Sequence, residues 1–92
     1  MEEVLFKSEQ RETRTAIADH LRTIADRLDD GGSITLSGGN ESVTLDVPAR
    51  ATFEVKAERE TGDGAPELSV EFEIEWTEGE NGGETTSGLS IE

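Results

Sequence analysis

The chain has 92 residues, 22 Asp plus Glu against 8 Lys plus Arg, a formal net charge of -14 and no cysteine. That length holds one ordinary domain, and the missing thiols exclude disulfides, thiolate metal sites and cysteine nucleophiles. The acidic surplus repels nucleic-acid backbones and anionic membranes, no apolar run approaches the ~18 residues that span a bilayer, and the acidic start Met1-Glu2-Glu3 is unlike a signal peptide.

Residues 3–12 read as a first strand. Val4, Phe6 and Ser8 share one side, and the run Val4-Leu5-Phe6 suits a strand covered on both faces at its start. Residues 14–30 read as the one helix. Ile17, Leu21, Ile24 and Leu28 recur at helical spacing, Ala18 and Ala25 widen the stripe, and Asp19, Arg22, Thr23 and Asp26 lie opposite. Thr13 is placed to cap its start, and Gly31 to end it in the left-handed conformation.

Beyond Gly32 the period becomes two. Ile34 and Leu36 alternate with Thr35 and Ser37, Gly38-Gly39-Asn40 turns the chain, and Val43, Leu45 and Val47 alternate with Thr44 and Asp46, which predicts a hairpin. Residues 52–60 form another strand, with Phe53, Val55 and Ala57 on one side and Glu54, Lys56 and Glu58 on the other. The turn-rich segment 61–66 leads into the clearest strand, 67–77. There Leu68, Val70, Phe72, Ile74 and Trp76 oppose Ser69, Glu71, Glu73, Glu75 and Thr77.

These elements predict an α+β fold. It is a two-layer sandwich in which one amphipathic helix packs on one face of a mostly antiparallel sheet of about five strands, in the order β-α-β-β-β-β. Its core combines the helix stripe with Phe6, Ile34, Leu36, Val43, Leu45, Phe53, Val55, Leu68, Val70, Phe72, Ile74 and Trp76. Residues 3–77 form a single domain; residues 78–92 read as a flexible, acidic, Gly-rich tail whose last residues either dock on a sheet edge or fray.

The basic residues carry a further signal. Only Lys7 and Lys56 are lysines, while Thr, Gly and Glu are abundant. Such a surface suits concentrated salt, where a Debye length of roughly 3 Å screens carboxylate repulsion. The expected setting is a halophilic cytoplasm.

The order of segments also resembles a known family. Glu3-Val4-Leu5-Phe6 opens the chain and the helix ends in Ile24-Ala25-Asp26-Arg27-Leu28. Ser42-Val43-Thr44-Leu45 follows, then the segment from Pro48 through Phe53 to Lys56, and the alternating strand from Leu68 ends at Trp76. Residues 3–77 are similar to the amphi-Trp domain family, small proteins largely of halophilic archaea, named for an alternating amphipathic strand ending in Trp. The resemblance implies a cytoplasmic halophile protein, and it supplies no catalytic residues to carry over.

Candidate chemistry is sparse. Trp76 is either an exposed interface anchor or, sharing parity with Phe72 and Ile74, a residue at the core's edge. Glu71, Glu73 and Glu75 form a carboxylate row, extended by Glu54 and Glu58 if their strands pair; the row is either a solvated face or a docking surface for a basic partner. An open sheet face offers no cleft to raise one carboxyl pKa for acid catalysis. His20, the lone histidine, lies on the flank of the helix stripe with no second His or Cys to complete a soft-metal site. Asp29-Asp30-Gly31-Gly32 and Asp63-Gly64 lack the spacing of an EF-hand, Gly38-Gly39 lacks the Lys of a phosphate loop, and no nucleophile elbow occurs.

The sequence therefore predicts a non-enzymatic domain without catalytic, cofactor or metal residues. Its expected partner is another protein or a second copy of itself, with no direct nucleic-acid or membrane binding. The alternative is an acidic-face binding module for a basic protein segment or cationic ligand, acting as a nucleic-acid mimic. Candidate interaction residues are Trp76, Glu71, Glu73 and Glu75.

Overall fold

A computed structural model describes residues 1–79. The chain divides into two units, Met1–Val47 and Pro48–Glu92.

The first unit is a helix with a hairpin. Helix α1 spans Arg14–Asp29. Thr13 sits at its N-cap in an extended conformation, and its hydroxyl oxygen accepts a hydrogen bond from the Ala16 amide at 3.0 Å. That bond satisfies one of the amides a helix start leaves orphaned. At the other end Gly31 adopts φ 103 and the Gly32 amide donates to the Arg27 carbonyl at 2.8 Å. This is the long bond of a Schellman stop, and it needs a residue indifferent to positive φ at Gly31.

Strands β1 (Ser33–Gly38) and β2 (Glu41–Asp46) pair antiparallel, with Ile34 opposite Leu45 and Leu36 opposite Val43. Gly39, at φ 60, takes the first position of the two-residue turn, where a type II′ turn requires positive φ. Ile34, Leu36, Val43 and Leu45 are half-buried and their neighbours exposed, so the period-two reading holds. The Thr35 and Thr44 hydroxyls meet across the other face at 2.9 Å. Helix α1 packs against β1.

Gly32 links these parts. It is buried, has φ 86, and its carbonyl accepts from the Val47 amide at 2.8 Å. A Cβ added there would collide with the Val47 carbonyl oxygen.

The second unit contains β3 (Thr52–Glu60) and β4 (Glu67–Glu75), paired antiparallel over their whole lengths from Thr52–Glu75 to Glu60–Glu67. Alternation carries Phe53, Val55, Ala57 and Arg59 to one face with Ile74, Phe72, Val70 and Leu68 opposite them. The other face carries Glu54, Lys56 and Glu58 against Glu73, Glu71 and Ser69.

The α+β class stands, with three corrections to the predicted detail. First, residues 3–12 are not a strand, so the observed order is α-β-β-β-β with four strands among the described residues. An apolar run meets the strand pattern, but a strand also needs a neighbour for its amides and carbonyls, and this segment joins no ladder among the described residues. Phe6 is half-buried instead, with its ring 3.5 Å from where a Gly38 Cβ would sit.

Second, the strands form two separate two-stranded sheets rather than one sheet. Each strand pairs with its sequence neighbour across a short turn, the least costly closure, and Pro48, which has no amide to donate, follows β2.

Third, the expected core of large apolar side chains is absent among the described residues: none is buried. Ile24 of the helix stripe is half-buried, while Ile17, Leu21 and Leu28 stay exposed. The predicted tail, apart from Glu78 and Gly79, lies outside the described residues.

Candidate functional site

The β3–β4 hairpin is the most chemically polarised element. On its acidic face the register sets Glu54 directly opposite Glu73, with Glu75 on the diagonal. One carboxylate oxygen from each of the three lies within 4.8 Å of the others, and all three residues are exposed. Such a trio raises the local negative potential and attracts cations, and open water screens it.

Glu71, the other carboxylate of the predicted row, is set apart. It faces Lys56, with Nζ 3.9 Å from its carboxylate and both side chains more than half exposed. A pair so long and so wet contributes little stability. The structure thus brings Glu73 and Glu75 together with Glu54, while Glu71 answers a lysine.

The apolar face is more unusual. Phe53 is 63% exposed, Val55 56%, Leu68 74%, Val70 58% and Phe72 55%. Phe53 and Phe72 stack at 6.4 Å between centroids and an interplanar angle of 7°. They are diagonal neighbours, within reach across one sheet face. Arg59 continues the parity of Phe53, Val55 and Ala57, and is the one charge on this face of β3 and β4. Sequence reasoning stopped that face at Ala57, although the same alternation extended two residues reaches Arg59.

Trp76 directly follows β4 and is half-buried. With Arg50, Ala51, Thr52, Ile74, Glu75 and Thr77 it borders an open hollow of about 860 Å³. It is therefore neither a fully exposed platform nor a buried core residue, and it adjoins the apolar patch.

The first unit has a shallow groove of about 760 Å³ between helix and hairpin, floored by Phe6, Ile24, Ile34 and Leu36 and edged by His20 and Arg27. His20 Nε2 and a Glu12 carboxylate oxygen lie 2.8 Å apart. The contact ties the segment before the helix to its flank. It escapes a periodicity reading because Glu12 lies outside the helix, and spacing rules do not reach across the cap.

No helix among the described residues is long and apolar enough to cross a membrane. The chain belongs to the Amphi-Trp domain family, whose family model matches residues 1–92. No curated protein and no solved structure matches the chain.

Proposed function

We propose that this is a non-enzymatic, contact-making domain of a halophilic cytoplasm, and that it acts by associating with protein, most simply with itself. One observation carries the reading. The strands with the most regular alternation in the sequence present a continuous row of large apolar side chains to solvent. Contiguous apolar patches of this kind mark interaction surfaces, whereas scattered apolar residues do not. A two-stranded hairpin is also marginal in water until a face is covered. The acidic, lysine-poor composition supports the salty setting, where the -14 charge no longer keeps copies apart. Sedimentation velocity in molar salt tests the reading. Concentration-dependent association is expected, and a strict monomer from about 10 µM to about 1 mM, the range of weak specific complexes, refutes it.

The second reading is a binding module for a basic protein segment or cationic ligand. The convergence of Glu54, Glu73 and Glu75 carboxylates within 4.8 Å favours it. Replacing Glu71, Glu73 and Glu75 together by Gln should abolish capture of basic partners from a salty lysate without unfolding the hairpin. Unchanged capture eliminates this reading.

A further inference from the structure

Resting on the self-association reading, we infer that the apolar face of the β3–β4 hairpin is a closed two-fold interface with a second copy of this chain, with its wide Val55–Phe72 pair seated on the partner's narrow Ala57–Val70 pair.

The one narrow pair of the face points to that arrangement. From one end to the other the cross-strand pairs run Phe53–Ile74, Val55–Phe72, Ala57–Val70 and Arg59–Leu68. Two identical faces packed like pair on like pair would crowd Val55 and Phe72 and leave a void at Ala57. A two-fold axis lying between the sheets and perpendicular to the strands reverses one copy. Val55 and Phe72 then lie over the partner's Ala57 and Val70, and Arg59 lies over the partner's Phe53. Large meets small at the two central pairs, at the roughly 10 Å spacing and near −30° crossing of packed sheets. Each Arg59 guanidinium meets an aromatic face, a favourable cation–π pairing.

Charge selects the same face. The opposite side carries Glu54, Glu58, Glu71, Glu73 and Glu75 with Lys56 as its cation, whereas this side carries only Arg59. Two copies of a -14 chain approach most easily where their carboxylates point away from each other. Face-to-face packing turns both acidic rows outward. Edge-to-edge pairing would set glutamates beside glutamates and leave the apolar face wet. A basic partner, for its part, would seek the carboxylate side.

The area is adequate for a weak dimer. Taking a fully exposed large side chain at roughly 150–250 Å², the five exposed residues offer on the order of 500 Å² per copy. Two copies reach about 1,000 Å², the lower bound for a specific interface.

The test uses sedimentation velocity in molar KCl, with Trp76 emission as a local reporter. The wild-type chain should pass from monomer to dimer between about 10 µM and about 1 mM, with a blue shift of Trp76 over the same range. Val70→Glu, at the centre of the face, should weaken the dimer at least thirtyfold. Arg59→Glu, at the exposed rim where folding is not at risk, should weaken it about fivefold to tenfold. Glu71→Gln, on the far side, should leave it unchanged. Far-UV circular dichroism checks that each variant folds; if Val70→Glu does not, Arg59→Glu decides. A dimer unaffected by Arg59→Glu and by a folded Val70→Glu overturns this interface while leaving self-association standing. Growth beyond the dimer overturns the closed two-fold. A wild-type monomer with concentration-independent Trp76 emission means that the face is covered within the chain or stays bare, and overturns both.

Discussion

Replacing Gly32 by Ala probes the point on which the first unit turns. Gly32 has φ 86, and a Cβ there would run into the Val47 carbonyl oxygen. Its neighbour Gly31 has φ 103, but a Cβ placed on it would meet nothing within 4 Å. The pair separates two effects. Gly31→Ala carries only the cost of positive φ in a residue with a Cβ, about 1–2 kcal/mol. Gly32→Ala carries that cost plus displacement of Val47. The 2.8 Å bond from the Val47 amide to the Gly32 carbonyl closes the base of the β1–β2 hairpin, and a typical intramolecular hydrogen bond contributes about 0.5–1.5 kcal/mol. The total is about 1.5–3.5 kcal/mol, a large share of a small domain's stability. The assay is urea unfolding in molar salt, followed by far-UV circular dichroism, which reports on α1. Gly32→Ala should lower stability by about 0.5–1.5 kcal/mol more than Gly31→Ala. Equal losses would show that the approach of Val47 is not a constraint, and a neutral Gly32→Ala would refute the positive-φ argument as well.

The remaining predictions concern capping and charge. Thr13→Ala removes the hydroxyl that holds the Ala16 amide and should cost about 1 kcal/mol, seen as a melting temperature lower by about 4–8 °C. Glu73→Lys replaces a like-charge pair with Glu54 by an opposite-charge one. It should stabilise the second hairpin by about 0.2–1 kcal/mol in dilute buffer, followed by Trp76 fluorescence, and the gain should shrink in molar salt. Withdrawing salt from the wild-type chain should lower its melting temperature, because the repulsion among 22 carboxylates is no longer screened; indifference to salt contradicts the halophilic assignment.

Local rules carried the sequence reading a long way. The Thr13 cap, the Gly31 stop and the alternation in all four observed strands follow from residue type and spacing, and each sits where those rules place it. The last two strands do pair, which meets the condition under which Glu54 extends the carboxylate row. What failed depended on partners. Val4-Leu5-Phe6 has a strand's pattern, but no alternation can report whether an edge waits for it. The single large sheet failed for the same reason, since period two assigns a face without naming what lies beyond the next strand. The row Glu71, Glu73 and Glu75 was legible as a row, yet Lys56 splits it, which becomes visible only once the register is known.

The acidic face of the β3–β4 hairpin has one more consequence, for what the chain avoids. Its apolar face, and two edges that pair with no other strand among the described residues, make the hairpin a template for stacking copies in register, as in amyloid. In such a fibril each of Glu54, Glu71, Glu73 and Glu75 would sit in a column of identical carboxylates about 4.8 Å apart. In dilute solution that ladder is strongly repulsive, and the carboxylates act as gatekeepers. In molar salt the Debye length, roughly 3 Å, falls below the ladder spacing, so the guard weakens as the fold strengthens. The carboxylate face thus guards the hairpin's edges most strongly where carboxylate repulsion strains the fold most.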